Sequence, residues 1–138
     1  MRKIALLSVF EKEGIVEYAL DLVSLGWEII SSGGTARKIA EAGIPVTDIS
    51  ELTNYPVMLG HRVATLHPIV HGGILARRIP EDEADLKKFE IPRISHVCVD
   101  LYPVGKFTDD PHRTILEILD MCKMMVDRKR QIWLPMKE

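Results

Sequence analysis

A short glycine-containing segment combines residue types that bind phosphate groups in proteins. It reads Ser32-Gly33-Gly34-Thr35, and it follows an apolar run that ends at Ile30 and precedes an apolar stripe of helical spacing. Two adjacent glycines let backbone amides approach an anion closely, and the helix dipole adds favourable potential. The threonine is expected to cap the helix while its hydroxyl reaches the same anion. An ordinary tight turn with a threonine cap is the alternative, since P-loop spacing is missing.

Lys12 is the natural companion of this segment, which is called the glycine turn below (residues 32–35). It follows the first apolar run, residues 4–9, so we expect it at the same edge of a sheet as the glycine turn. A solvated surface lysine is the ordinary interpretation of such a residue on its own. Beside a glycine turn, its compact positive charge is suited to a phosphate. Lys12 and the turn together predict a phosphate site.

Residues 62–71 bring a guanidinium, a hydroxyl and two imidazoles together. Arg62 presents a planar fork of donors that suits a phosphate or a carboxamide oxygen, with an ion pair to Glu51 as the alternative. Thr65 lies three residues further on. This stretch is the second candidate part of a ligand site.

The two histidines of this stretch suggest zinc by their spacing but not by their surroundings. His67 and His71 are four residues apart, so a helix would carry both rings on one face. No third ligand is evident, and Pro68 stands where an HExxH motif has its glutamate. We therefore expect no metal. His67 is expected to bond backbone at a helix start, and His71 to pack near the site.

The last strongly apolar run ends in Asp100-Leu101-Tyr102-Pro103. In a parallel sheet, residues just beyond a strand's carboxyl end face the ligand. An ionised carboxylate at position 100 accepts hydrogen bonds and cannot donate them, so it would read an amine or a ring N–H rather than a carbonyl.

Alternating strands and helices must position these residues. Apolar runs predict strands at residues 4–9, 27–30, 45–49 and 94–101. Stripes of helical spacing and charged stretches predict helices at residues 14–25, 36–42, 68–76, 80–89 and 112–126. The alternation is typical of a three-layer α/β domain with a mainly parallel central sheet.

Size and composition bound the remaining possibilities. The chain has 138 residues, which suits one domain over residues 1–138, and 46% of them are hydrophobic, enough for a core. A net charge of −2 predicts neither nucleic acid nor membrane as a partner. Cys98 and Cys122 lack CxxC spacing, and Cys98 is expected to be a reduced core thiol. The first apolar run is too short for a signal peptide, so we expect a cytoplasmic protein.

With these motifs, residues 4–104 resemble the inosine monophosphate (IMP) cyclohydrolase domain of the bifunctional purine biosynthesis enzymes, which has a methylglyoxal-synthase-like fold. The resemblance implies closure of a formamido-imidazole-carboxamide ribonucleotide to IMP with loss of water, without a cofactor. It assigns the phosphate to Lys12 and the glycine turn. It assigns catalytic roles to Arg62, Thr65 and Tyr102, and contacts with the base to Asp100 and Leu101.

The chain departs from the family pattern at informative places. Ala64 stands where the relatives have a lysine, and Asp100 where they usually have an asparagine. After Asp110 the family's aspartate–glycine–glycine turn and its lysine-bearing helix are not found, and neither Lys123 nor Lys129 has spacing that supports a substitute. Residues 110–138 are therefore a divergent tail, and no formyltransferase domain is expected. These departures predict impaired activity.

Two other functions remain open at this stage. The same fold serves as the allosteric domain of carbamoyl phosphate synthetases, so the chain would then be a non-catalytic purine-nucleotide-binding or regulatory domain. Methylglyoxal synthase shares the phosphate turn, but its characteristic acidic motif is not found. The sequence leaves the oligomeric state open, with a homodimer as one candidate.

Overall fold

A parallel sheet forms the centre of the domain. The computed structural model describes residues 2–61 and 63–100. Within them, four strands pair in parallel in the order β3-β2-β1-β4. The strands are β1 (Lys3–Ser8), β2 (Trp27–Ser31), β3 (Thr47–Asp48) and β4 (His96–Val99). The predicted mainly parallel α/β architecture is confirmed.

Helices connect these strands. They are α1 (Ile15–Ser24), α2 (Gly33–Glu41), α3 (Ile49–Thr53), α4 (Pro68–Leu75) and α5 (Pro80–Lys88), with a 3₁₀ turn at Leu59–His61. In the described part of the chain, no helix is both long and apolar enough to cross a membrane. The helix predicted at residues 112–126 lies outside the described residues.

The side chains of β1 alternate between two separate hydrophobic clusters. Ala5 and Leu7 belong to a cluster completed mainly by α1 and α2, whereas Ile4 and Leu6 belong to one that contains Val70 of α4. A strand covered on both faces must be apolar at every position, which explains its uninterrupted run. The three layers follow from this double burial.

Helix α1 lies within the range predicted for it, residues 14–25. Gly14 precedes the helix and Gly26 follows it, both at positive φ, and the N–H of Gly26 donates to the carbonyl of Val23. The helix buries Ile15, Ala19 and Leu22 against the sheet, as the apolar stripe indicates.

Helix α3 was not expected from hydrophobic periodicity. Residues 45–49 predict a strand, but β3 covers Thr47–Asp48, and Ile49 already begins the helix. A capping box stabilises this start: the Asp48 carboxylate accepts the N–H of Ser50 at 2.9 Å, and the Glu51 carboxylate accepts the N–H of Asp48 at 3.4 Å. The pattern Asp-x-x-Glu is the sequence signal that identifies such a start.

Gly73 lets α4 approach the chain that leads into β4. The N–H of Ile94 donates to the carbonyl of Gly73 at 2.9 Å. A Cβ atom at position 73 would lie 2.4 Å from the carbonyl oxygen of Pro92 and 3.2 Å from Cγ1 of Ile94. A glycine is therefore required at position 73 for packing, although glycine is a poor helix former.

We expect Gly73→Ala to lower the free energy of unfolding by about 1–3 kcal/mol, because the backbone must shift to relieve the contact with Pro92. Gly72→Ala is the matched control, since its Cβ would meet the Ile91 side chain at 3.3 Å. There the gain in helix propensity offsets a small rearrangement, and a change below about 1 kcal/mol is expected. Urea denaturation measures both, and equal losses would contradict the packing argument.

Candidate functional site

The strand order creates a crevice at the carboxyl edge of the sheet. The chain proceeds from β1 to β2 and β3 in one direction and then returns to place β4 on the other side of β1. In open parallel sheets, ligands bind beyond the carboxyl ends of the strands at such a reversal. The loop of residues 9–12, the glycine turn and Asp100 all follow strands at this edge.

The glycine turn forms the first turn of α2. Ser32 occupies the N-cap position without a side-chain capping bond, and Gly33 follows with a φ of 57°. The expectation that Thr35 caps the helix is wrong, because the helix already begins at Gly33 and Thr35 lies inside its first turn. The glycines can adopt the conformation that starts the helix early. Gly34 is exposed, so this end of α2 is open to solvent.

Thr35 connects α2 to the end of β1. Its hydroxyl donates to the carbonyl of Val9 at 2.9 Å and accepts the N–H of the same residue at 3.3 Å. The side chain is 2% exposed. The hydroxyl therefore holds the loop after β1 against the glycine turn, a role that the sequence did not indicate.

Lys12 lies beside the glycine turn, as its position after β1 indicates. Its ammonium group donates to the carbonyl of Val9 and, at 3.0 Å, to that of Phe10. A Cβ atom at position 34 would lie 3.5 Å from Cε of Lys12. A half-buried positive charge thus adjoins the positive end of the α2 dipole.

Asp100 faces the loop of residues 9–12 from β4. One carboxylate oxygen accepts the N–H of Phe10 at 2.5 Å, and the other accepts the N–H of Glu11 at 2.8 Å. These contacts join the ends of β1 and β4 across the reversal. The contact of Asp100 with a base stays a prediction, and the structure adds an engagement with the protein itself.

Cys98 lies two residues before this carboxylate. It is a free, half-buried thiol that packs against the cluster containing Ala5 and Leu7. Burial raises the pKa of the Cys98 thiol, and the negative charge of Asp100 raises the pKa further. The thiol therefore stays protonated at neutral pH and belongs to the core, as expected.

The first of the two candidate histidines caps α4, and the second lies within it. His67 is the N-cap, and its Nδ1 accepts the N–H of Ile69 at 3.3 Å, which confirms the expected bond to backbone. Nε2 of His71 is buried and finds no hydrogen-bond partner among the described residues. Within residues 2–61 and 63–100, no group of three or more His, Cys, Asp or Glu side chains is arranged to hold a metal ion. The absence of a metal stays a prediction.

A mainly apolar cavity of about 210 Å³ lies between α3 and the segment that leads to α4. Its lining includes Ser50, Tyr55, Met58, Ala64 and His67. Because α3 begins directly after β3, Ile49 and Ser50 of the cavity lining follow a strand end at the same sheet edge as the glycine turn.

The remaining candidate residues are Thr65, Arg62, Leu101 and Tyr102. Thr65 is half-buried, and its carbonyl accepts the N–H of His67 at 3.0 Å. Arg62, Leu101 and Tyr102 lie outside the described residues. The amides of Phe10 and Glu11 bind the Asp100 carboxylate, and sequence patterns contain no signal for backbone donors of this kind.

Comparison with known proteins identifies relatives of this arrangement. A family model described as an MGS-like domain matches residues 14–124. The chain is 46% identical over 125 residues to the bifunctional purine biosynthesis protein PurH of Deinococcus deserti, which covers 88% of this chain and 24% of that protein. For PurH of a Synechocystis species, the identity is 49% over 122 residues, or 87% of this chain and 24% of the relative. The chain thus spans about a quarter of the length of these curated relatives.

A solved structure shares the fold. The crystal structure of ForH matches with a TM-score of 0.68 and 40% sequence identity, covering 73% of this chain and 52% of that one. The resemblance seen in the motifs is thereby confirmed from sequence and from structure.

We expect Thr35→Val to lower the free energy of unfolding by about 1–3 kcal/mol, because it removes the hydroxyl that satisfies the buried Val9 N–H. Thr35→Ser keeps the hydroxyl and loses one methyl group, so it should cost no more than about 1 kcal/mol. Chemical denaturation of both variants separates the hydrogen bond from the packing. Equal stability of the two variants would show that the bridge to Val9 contributes nothing.

Proposed function

The chain belongs to the MGS-like domain family, and on that premise we propose that it serves purine biosynthesis as an IMP-cyclohydrolase-type domain. Its ligand is a purine nucleotide or the open-ring formamido-imidazole-carboxamide precursor. The relatives named PurH support the pathway, and the geometry at the carboxyl edge of the sheet supports a phosphorylated ligand.

The single observation that carries the ligand class is the placement of Lys12 against the glycine turn. The Lys12 side chain lies against Gly34 in the first turn of α2, at the reversal in strand order. A phosphate bound there would accept charge-assisted hydrogen bonds and interact favourably with the helix dipole. The net charge of −2 offers no general attraction for anions, so this local arrangement must hold the ligand.

The proposed reaction depends on positioning. The carboxamide nitrogen attacks the formyl carbon of the same molecule, a carbon–nitrogen bond forms, and the former formyl oxygen leaves as water after it takes up protons. Because both groups belong to one molecule, a pocket that holds them about 3–3.5 Å apart supplies much of the acceleration. Thr65, Arg62 and Tyr102 are proposed to orient the ring.

The proposed reaction needs a proton donor for the departing water, and the family's lysine is absent from this chain. Ala64, at the family's lysine position, lines the apolar cavity and packs against the cluster containing Val70. Its methyl group cannot donate a proton. Loss of general acid–base catalysis lowers rates by about 10²–10⁴-fold, so we propose that binding persists while turnover is slow.

A second candidate function is a non-catalytic nucleotide-binding or regulatory domain. It is favoured by the same Ala64 and by Asp100, whose carboxylate is engaged by the loop of residues 9–12. Both candidate functions require nucleotide binding. A spectrophotometric cyclisation assay on the purified chain, run beside a titration with IMP, separates them.

We expect Lys12→Met to weaken IMP binding by about 1–3 kcal/mol, because it removes a charge-assisted contact with the phosphate. Lys38→Met, at the exposed last turn of α2, is the matched control and should leave the affinity unchanged. Calorimetry with IMP and with inosine completes the design, since the nucleoside has no phosphate to lose. If the unmodified chain, Lys12→Met and Lys38→Met all bind IMP with equal affinity, the phosphate does not bind at the glycine turn.

We expect Ala64→Lys to raise kcat of cyclisation more than it changes KM, because an ammonium group at this position acts mainly in the transition state. The gain should be partial, since the tail of residues 110–138 lacks the family's aspartate and lysine motifs. Steady-state kinetics measures both parameters. An unmodified chain that already turns over at the typical enzymatic rate of about 10 s⁻¹ would contradict the assignment.

A further inference from the structure

Two consecutive peptide groups lie between the Asp100 carboxylate and the Lys12 ammonium group. In the first, the carbonyl of Val9 accepts from Lys12 and the N–H of Phe10 donates to Asp100. In the second, the carbonyl of Phe10 accepts from Lys12 and the N–H of Glu11 donates to Asp100. Both peptide groups are thus held at both ends by opposite charges.

The geometry separates the two charges while it couples them. In a trans peptide group, the carbonyl and the N–H point in opposite directions, so Lys12 and Asp100 lie on opposite sides of the loop backbone. A carboxylate that polarises an N–H makes the carbonyl of the same group a better acceptor. Asp100 therefore strengthens the contacts that orient the Lys12 ammonium group.

The strand register places Asp100 where it can do this. Ser8 of β1 pairs with Val99 of β4, so Asp100 comes alongside the first residues of the loop. An asparagine here would offer one acceptor oxygen, and its NH₂ group would face the second amide, donor against donor. Only a carboxylate accepts both N–H groups.

We propose that Asp100 is a positioning residue for Lys12: through the two peptide groups that follow Val9, it holds the ammonium group beside the glycine turn, where a ligand phosphate meets it. This inference rests on the proposed function for the identity of the ligand. The brace between Asp100 and the loop is a property of the protein alone and can be measured without any ligand.

The sign of the effect distinguishes positioning from simple electrostatics. A negative charge near an anion site repels the anion, so its removal by itself should tighten phosphate binding. Removal of a brace loosens the loop and lets the lysine leave its place, which weakens phosphate binding. The two explanations of Asp100 therefore predict opposite changes.

The experiment measures dissociation constants of IMP and of inorganic phosphate for Asp100→Asn. We expect about tenfold weaker binding of both, comparable to the loss of one charge-assisted hydrogen bond. Glu13→Gln is the matched control, because it removes the same charge from an exposed position next to the loop. Its affinities should stay within about twofold of the unmodified chain.

A double-mutant cycle tests whether Asp100 acts through Lys12. In a Lys12→Met background, Asp100→Asn should have almost no further effect on phosphate affinity, because the group that it positions is gone. A purely structural role would weaken binding equally in both backgrounds. Additive effects, unchanged affinity or tighter binding in Asp100→Asn would each overturn the proposal.

A ligand-free measurement keeps the two proposals apart. Nuclear magnetic resonance on the unmodified chain should detect scalar couplings across the hydrogen bonds from the Phe10 and Glu11 amides to the Asp100 carboxylate, even if Asp100→Asn folds poorly. Absence of these couplings would overturn the brace while the proposed function stands. Couplings present in a chain that binds neither IMP nor phosphate would support the brace and refute the proposed function.

Discussion

The peptide groups directly after β1 are bound from three directions, and the candidate site depends on these contacts. The Thr35 hydroxyl reaches them from α2, Asp100 reaches them from β4, and Lys12 folds back onto them from the same loop. Unpaired backbone groups at a buried strand end are unfavourable, so a side chain from each neighbouring element supplies a partner. The same contacts bring the lysine, the glycine turn and the aspartate to one edge of the sheet.

The strand order of the sheet brings the segments that follow β1, β2 and β4 together. β1 is central, with β2 on one side and β4 on the other, and its side chains are buried in both layers of helices. Residues that follow β1 must therefore emerge between the segments that follow β2 and β4. The crevice brings together parts of the chain that are 90 residues apart, as Phe10 and Asp100 are.

The departures at Ala64 and Asp100 have different structural consequences. Ala64 contributes only a methyl group to the lining of the cavity beside α3. Asp100 instead gains a defined set of partners in the loop after β1. The first departure is the basis of the proposed slow turnover, whereas the second adds a contact within the protein.

The sequence by itself determined most of the described elements and the proximity of Lys12 to the glycine turn. Apolar runs predict β1 and β2, and helical spacing predicts α1, because burial against neighbouring layers leaves a direct trace in residue type. The same patterns place Lys12 beside the glycine turn, since Lys12 follows β1, the turn follows β2, and parallel strands end at the same edge of the sheet. The start of α3 left a local trace as well, the Asp48 and Glu51 capping box, which hydrophobic periodicity cannot reveal. Tertiary structure alone decided what Thr35 and Asp100 bind. Their partners are backbone groups, which every residue possesses, so the pairing depends on which strand ends become neighbours and not on residue type.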